Sequence, residues 1–352
     1  MYTGVRKGCV LVSNTVHYFV NTNGSQGFRS FFLSNFGALN PLLKLDNYPG
    51  SLVEDMIGKI CTRADEKGYQ LEVIHNCLDN CPEGVILPQL HSGLINIPAY
   101  IDYGYTLSRL MDDEAVQATR ESLVLAHKHF QNAKKIHDDW EKIYISHMNF
   151  AKLNQFANDT ILELLGPHTK NQKGSAVHRF FGAATKHGPV DYIENLTDDM
   201  GKRYFIKGRP GTGKSTFLKK FAERAVRNGF RTEIYHCSFD PDSLDLVVVR
   251  DLSLCLFDST APHEYSPSRE SDHILDFYEA AVQPDTDEQF SGELLQLSGQ
   301  YKEQMELARE QISKADSIKK QAEDSVLLQI NPDKLKNSVN KILQKVFVQK
   351  QA

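Results

Sequence analysis

The sequence lacks the features that mark membrane-spanning, secreted and nucleic-acid-binding proteins. No run approaches the roughly 18 apolar residues that a membrane helix needs, so we expect no membrane partner. The first residues lack both the apolar segment and the cleavage site that are typical of a signal peptide. The six cysteines show no disulfide-framework spacing, which is typical of a reducing compartment, and we expect a cytoplasmic protein. A net charge of −5 offers no basic face for nucleic acid.

The chain does contain an internal repeat. Its 352 residues, 41% of them hydrophobic, suffice for two domains. A shift of 161 positions aligns Pro49 with Pro210, Gly50 with Gly211, Gly68 with Gly229, Glu72 with Glu233, and His75 with His236. A shift of 182 later aligns Ala133 with Ala315, Ile136 with Ile318, and Glu141 with Glu323. We interpret the chain as a tandem duplication, with an insertion near "HEYSPSRESDHILDFYEAAV" in the second copy.

One motif carries chemistry. The stretch "GRPGTGKST", Gly208 to Thr216, satisfies the phosphate-binding pattern G-x-x-x-x-G-K-[ST], known as Walker A or P-loop. Glycines let backbone N–H groups turn inward around phosphate oxygens, and the helix that follows adds its positive N-terminal end. Lys214 would reach the β- and γ-phosphates, and the Ser215 hydroxyl would bind Mg²⁺.

A metal-side carboxylate is expected at the end of a neighbouring apolar strand. Asp258 ends the strand "LSLCLFD", and its alternative role is that of a turn cap; Asp251 is a weaker candidate. The predicted catalytic residues are Lys214 and Asp258, and the predicted metal ligands are Ser215 and Asp258. The predicted nucleotide-binding residues are Gly208, Arg209, Pro210, Gly211, Thr212, Gly213, Lys214, Ser215 and Thr216.

The first copy keeps the frame of this motif without its chemistry. Asn47 stands for Gly208, Leu52 for Gly213, Val53 for Lys214, Glu54 for Ser215, Asp55 for Thr216 and Asn96 for Asp258. The cation is lost, and two acidic residues lie where phosphate would bind. We therefore expect a pseudo-NTPase domain that packs against the second copy, and one nucleotide per chain.

The alternation of strands and helices predicts the fold class. Strand 203–207, loop 208–214 and helix 215–228 are followed by the strands "FRTEIYHC" and "LSLCLFD". The fold class is α/β, with two tandem P-loop NTPase-like parallel-sheet modules. Apolar residues every three or four positions predict a long helical hairpin in each module. The predicted boundaries are residues 1–166 and 178–352, with a linker at 167–177.

Several histidines and cysteines attract attention without forming a recognised pattern. His75 repeats His236 in the copy that has no phosphate motif, which favours a structural role for both. The spacing of His75, Cys77 and Cys81 is not a zinc pattern. The histidines at 127, 129, 137 and 147 are interpreted as part of a solvated helix face.

The stretches "FIKGRPGTGKSTFLKKF", "HCSFDPDSLD" and "LFDSTAPH", with the duplication, resemble a family of tandem P-loop ATPases of unknown activity from spore-forming Gram-positive bacteria. The resemblance implies ATP binding at Gly208, Gly213, Lys214, Ser215 and Thr216. No guanine-reading N/T-K-x-D element is evident, and Ser259 rather than a glutamate follows Asp258, unlike in motor ATPases. The expected cofactors are therefore ATP and Mg²⁺.

Two functions stay open from the sequence. One is an ATP hydrolase or nucleotide-kinase-like phosphotransferase that acts through the second module. A kinase would need an arginine-bearing lid, and Arg269 is the one arginine of the insertion. The other is a slowly hydrolysing or non-catalytic nucleotide-gated scaffold with an unknown substrate or protein partner. Self-association through the helical hairpins is also open.

Overall fold

Two β-sheets with flanking helices make up the part of the chain that the computed structural model describes, residues 15–98, 113–166, 168–329 and 331–347. The first sheet has the order β1-β5-β6-β7-β4. Its strands are β1 (Thr15–Tyr18), β4 (Leu42–Asp46), β5 (Leu71–His75), β6 (Pro82–Leu87) and β7 (Ser92–Ile97). A ribbon of β2 (Asn21–Gly24) and β3 (Gly27–Ser30) and the helices α1 (Phe32–Phe36) and α2 (Gly50–Asp65) accompany it.

The second sheet has the order β15-β11-β14-β13-β12-β8. Its strands are β8 (Ser175–Phe180), β11 (Lys202–Lys207), β12 (Arg231–His236), β13 (Leu244–Val249), β14 (Leu254–Asp258) and β15 (Asp272–Asp276). A ribbon of β9 (Gly182–Thr185) and β10 (Gly188–Asp191) accompanies it, with helices α5 (Ile193–Thr197), α6 (Lys214–Arg227), α7 (Phe277–Ala281) and α8 (Thr286–Gln289). One face of α6 is apolar and buried, and it includes Phe217, Leu218 and Phe221.

The expectation of parallel sheets is wrong in part, because both sheets are mixed. In each sheet one strand, β6 or β13, runs antiparallel to both of its neighbours, whereas the other pairings are parallel. The reason is the length of the connections: short turns join β12 to β13 and β13 to β14. A parallel crossover needs about a dozen residues or more, so these strands form a meander.

The two sheets correspond strand by strand. Arg203 pairs with Cys255 where Leu42 pairs with Gly93, and these positions differ by the shifts of 161 and 162. A register irregularity falls at His75 in one sheet and at His236 in the other. The insertion adds β15, which lies parallel to β11 at the edge of the second sheet.

The long helices pair across the chain, which corrects the expectation of a hairpin within each half. They are α3 (Asp113–Ser146) and α9 (Ser291–Leu327), of 34 and 37 residues. His129 contacts Gln304, whereas Val116 packs near Ala322, so the two helices run antiparallel. Their small and apolar residues, including Ala126 and Ala308, are buried in one cluster. These faces are therefore covered within the chain, which removes the basis for expecting self-association through hairpins.

The two shorter helices are exchanged between the halves. Ile161 of α4 (Phe150–Leu165) packs in one core with Phe217 and Phe221 of α6 in the second half. Val339 of α10 (Pro332–Val346) packs with Ile57 of α2 in the first half. Each sheet therefore completes its core with a helix that the sequence places in the other half.

A shared core joins the two sheets. Phe19 and Phe180 exchange two backbone hydrogen bonds of 2.9 Å between the ends of β1 and β8. The Arg179 guanidinium lies 4.0 Å from the Tyr18 ring, and its Nη2 is 2.7 Å from Oε2 of Glu72 and its Nη1 3.5 Å from Oε2 of Glu233. One buried cation thus neutralises a carboxylate from each sheet.

None of the described helices has the length and apolar character of a bilayer span.

Candidate functional site

The loop between β11 and α6 has a backbone that only glycine accommodates at three positions. Gly211 and Gly213 adopt φ of 77° and 85°, values that side chains oppose. A Cβ on Gly208 would lie 2.6 Å from Thr212 Oγ1. The Thr212 hydroxyl in turn donates to the Arg209 carbonyl at 2.7 Å and accepts from the Arg209 N–H at 3.2 Å, which braces the turn.

Lys214 lies inside this loop beside Asp258. Its Nζ donates to the Arg209 carbonyl at 2.9 Å and is 3.6 Å from Asp258 Oδ2, and its side chain is buried. Asp258 ends β14, the strand parallel to and hydrogen-bonded with β11. Asp258 Oδ1 accepts from the N–H and hydroxyl of Thr260, so one carboxylate oxygen is used in a turn and the other faces the lysine.

The other loop residues predicted from the motif occupy distinct positions. Ser215 is the second residue of α6. Its Oγ accepts a hydrogen bond from the Leu244 N–H at 2.9 Å, and this bond does not use the hydroxyl proton. The Arg209 guanidinium pairs with Asp287 at 2.7 Å, donates to the Gly208 carbonyl at 3.3 Å and lies over the Tyr278 ring. Pro210 is half-buried and Thr216 is exposed. The nine loop positions and Asp258 therefore lie together.

Asp245 is a second carboxylate at this site, and the sequence reasoning missed it. The antiparallel register that pairs Leu246 with Phe257 puts Asp245 opposite Asp258. Burial and the neighbouring Asp258 carboxylate raise the pKa of Asp245 to about 7. The shift of 162 aligns Asp245 with Glu83, which was the available signal.

Helix α3 brings further polar residues to the loop. His137, Asp138 and Glu141 can place one ligand atom each within 4.8 Å of one another. The expectation that His137 lies on a solvated helix face is wrong, because its ring packs against the rings of Phe239 and Tyr301. Burial lowers the pKa of His137 to about 4 and raises that of Glu141. Sequence reasoning treated these residues as parts of a separate hairpin.

Two candidates lie away from the site. Asp251 forms an ion pair with Lys170 at 2.8 Å. It lies in the turn between β13 and β14, at the ends of the strands that are opposite to the loop. Arg269 forms an ion pair with Asp198. It precedes β15, which runs parallel to β11, and therefore also lies at the ends of the strands that are opposite to the loop. Asp251 is thus excluded as the metal-side carboxylate, and Arg269 is not on a lid over the loop.

In the equivalent loop of the first half, polar groups are bonded to other groups of the protein. The Asn96 side-chain amide bonds the N–H and the carbonyl of Tyr48, each at 2.9 Å. Val53 is buried in the core where the second half has Lys214. The Gly50 N–H donates to Oε2 of Glu323, which comes from α9, at 3.1 Å.

The repeated histidines form two matched pairs. Nδ1 of His17 is 2.9 Å from Nε2 of His75, and the same atoms of His178 and His236 are also 2.9 Å apart. Nδ1 of His75 bonds the carbonyl of Asn80, so its ring nitrogens are used within the protein. Among the described residues, the histidine and cysteines at 75, 77 and 81 do not form a metal-binding group.

Comparisons with known proteins identify no relative: no family model, no curated protein and no solved structure matches the chain.

Proposed function

We propose that this protein binds Mg–ATP through the loop Gly208–Thr216 and hydrolyses ATP or transfers its γ-phosphoryl group. The observation that supports this most is the joint position of Lys214 and Asp258 at the head of α6, with glycines at positive φ in the loop. Backbone N–H groups at a helix N-terminus attract phosphate, and a buried lysine adds a point charge.

The donor set also fits Mg²⁺. Ser215 and Asp258 would hold the ion, since hydroxyl and carboxylate oxygens are its preferred ligands. Bound there, Mg²⁺ would neutralise charge on the β- and γ-phosphates. Asp245 is a further carboxylate beside Asp258, and a divalent cation bound between the two would favour the charged form of both.

The chain is, in the same proposal, a tandem pair of P-loop modules of which the first is a pseudo-NTPase. The matched strand order and registers of the two sheets support it. In the first half a valine replaces the lysine, and the Gly50 N–H is already bonded by Glu323. Nucleotide binding is then confined to the second half.

A nucleotide-gated scaffold is a second candidate, favoured by one observation. A Cβ on Gly213 would lie 2.9 Å from Leu153 of α4, so α4 rests directly on the loop. Nucleotide in the loop would press on this helix. Negligible turnover together with tight binding would favour the scaffold, whereas ADP release would favour the enzyme.

The deciding experiment is equilibrium binding of Mg–ATP to the wild type and to Lys214→Ala, with and without EDTA. Loss of the lysine removes the charge that opposes the triphosphate, so affinity should fall at least about tenfold, or 1.4 kcal/mol. Lys220→Ala is the matched control, because this lysine is on the exposed side of the same helix. Equal affinity for the wild type and a folded Lys214→Ala protein would refute the assignment.

Turnover measured with a panel of nucleosides, nucleotides and small metabolites separates the two reactions. ADP release that depends on an added acceptor indicates a phosphotransferase. ADP release in water alone indicates a hydrolase.

A further inference from the structure

The C-terminal part of α3 lies on the phosphate-binding loop of the second half. A Cβ on Gly211 would be 2.9 Å from the Glu141 carbonyl oxygen, 3.0 Å from the Glu141 Cβ and 3.1 Å from Ile145 Cγ1. The helix therefore approaches the loop so closely that only glycine fits. Glu141 is the residue of α3 whose side chain starts at this contact.

The Glu141 carboxylate lies beside His137, one turn earlier on α3. Its Oε1 is 3.5 Å from Nδ1 of His137, and both Lys134 and Lys214 act on its carboxylate. Lys214 is the residue proposed to bind the β- and γ-phosphates. The Glu141 side chain thus starts at the loop, and its carboxylate interacts electrostatically with Lys214.

The corresponding position on α9 shows how far such a side chain reaches. Glu323 follows Glu141 by 182 positions, and Gly50 precedes Gly211 by 161. Glu323 Oε2 accepts the Gly50 N–H at 3.1 Å, at the N-terminus of α2. A glutamate at this helix position thus reaches a backbone N–H of the facing loop, at the position that Gly211 occupies in the second half. Glu323 also has Lys319 Nζ 3.5 Å away, a cation on its own helix.

The second half has no glutamate directly after Asp258. Ser259 stands there, and its hydroxyl donates to the Tyr265 carbonyl at 2.8 Å. A serine held in this way is not available to take a proton from water. A hydrolase built on this loop needs a base from elsewhere, and α3 places a glutamate, Glu141, against the loop.

We propose that Glu141, supplied by the first half of the chain, is the general base for ATP hydrolysis in the second half. The step rests on the proposed function. The oxygen of a water molecule attacks the γ-phosphorus, and the Glu141 carboxylate takes the water proton. The bond from the γ-phosphorus to the β–γ bridging oxygen breaks, its electron pair leaves with ADP, and inorganic phosphate forms. The first half is then retained because it completes the site.

The test is Glu141→Gln, which keeps size and hydrogen bonding but cannot accept the proton. We expect hydrolysis in a single turnover to fall at least about 100-fold, the lower end of what a general base contributes. Mg–ATP affinity should stay within about threefold of the wild type, because the phosphate-binding groups are intact. Asp139→Asn is the control: Asp139 lies on the same helix, is exposed, and pairs with Lys142.

The outcomes separate this inference from the proposed function. A wild type that does not bind Mg–ATP defeats the proposed function itself. A wild type that binds and hydrolyses ATP, with Glu141→Gln as active as Asp139→Asn, defeats only the role of Glu141. The role is equally defeated if the wild type binds ATP without hydrolysing it, or if Glu141→Gln binds and hydrolyses ATP better, since Glu141 would then be an inhibitory contact.

Discussion

Lys214 begins α6 and Asp258 ends β14, yet the charged atoms of the two side chains are 3.6 Å apart. The phosphate-binding motif predicted the lysine. The aspartate was predicted because it ends an apolar strand. Asp245 escaped notice because antiparallel pairing, not sequence spacing, puts it opposite Asp258. Neighbouring like charges are destabilising unless a cation lies between them.

At this scale we expect Asp258→Asn to lower Mg-dependent turnover about 100-fold or more with little loss of stability. Asparagine keeps the oxygen that caps Thr260, so the free energy of unfolding should change by less than about 1 kcal/mol, the usual effect of a lost cap. Turnover and urea unfolding of the same variant check this. Preserved turnover would assign Asp258 to the turn and move the metal role to Asp245.

The buried histidine pairs give a second prediction at the residue scale, on pH. Burial lowers the pKa of His75 to about 3 and that of His236 to about 4. In the unfolded chain these histidines have a pKa near 6.5. Below that pH they therefore bind more protons in the unfolded chain than in the folded one. The stabilisation from neutral histidine is complete above about pH 6.5 and is lost as the pH falls toward 4.

His75→Gln should remove part of this dependence. Between about pH 6.5 and pH 4.5 the free energy of unfolding of the wild type should fall by about 1–2 kcal/mol relative to the variant. Glu83 acts in the other direction, because burial raises its pKa to about 8, so the difference between the two proteins isolates the histidine. A difference that is the same at both pH values contradicts the prediction.

At the scale of elements, the exchanged helices α4 and α10 decide how the chain must be divided. The apolar residues of α4 were visible in the sequence, but their partner was not. Ile161 packs with Phe217 and Phe221 of the second half, whereas its neighbour Leu162 is 58% exposed. The two residues form a matched pair of opposite burial on one helix.

Ile161→Ala should therefore cost about 2–4 kcal/mol in the free energy of unfolding, since it leaves a cavity in the core of the second half. Leu162→Ala should change it by less than about 0.5 kcal/mol. Urea unfolding of both variants tests the docking of α4. Equal effects of the two substitutions would mean that α4 does not contribute to that core.

At the scale of the whole molecule, the two halves are joined by exchange and by a buried charge network. Arg179 faces a glutamate from each sheet, and removing one partner of a buried ion pair commonly costs about 3–5 kcal/mol. A division at the predicted linker would cut α4 from α6 and α3 from α9. We therefore expect that neither half folds independently.

A fragment that starts at Ser175 should fail to unfold cooperatively, because the face of α6 that α4 covers would meet water. A fragment of residues 113–352 restores α3 and α4 and should regain part of the lost stability. The full chain should bind one nucleotide by calorimetry. A stoichiometry of two, or a Ser175 fragment as stable and active as the whole chain, would contradict this account.

The sequence by itself determined the glycine-rich loop after β11, the helix that follows it and the residue correspondence between the two halves. These features are local, because they depend on residue types at fixed spacing and on periodicity along one element. Short turns made the sheets mixed, a consequence of chain length that strand and helix patterns do not reveal.

Only the tertiary structure decided which helix covers which sheet and which residues join the loop from outside it. Glu141 and Glu323 were aligned in the sequence, but their contacts with the loops of the opposite halves depend on the antiparallel pairing of α3 with α9. An amphipathic helix specifies that one face will be buried and leaves its partner open. Here that partner is the other half of the chain, because each sheet leaves an apolar face that the exchanged helix covers.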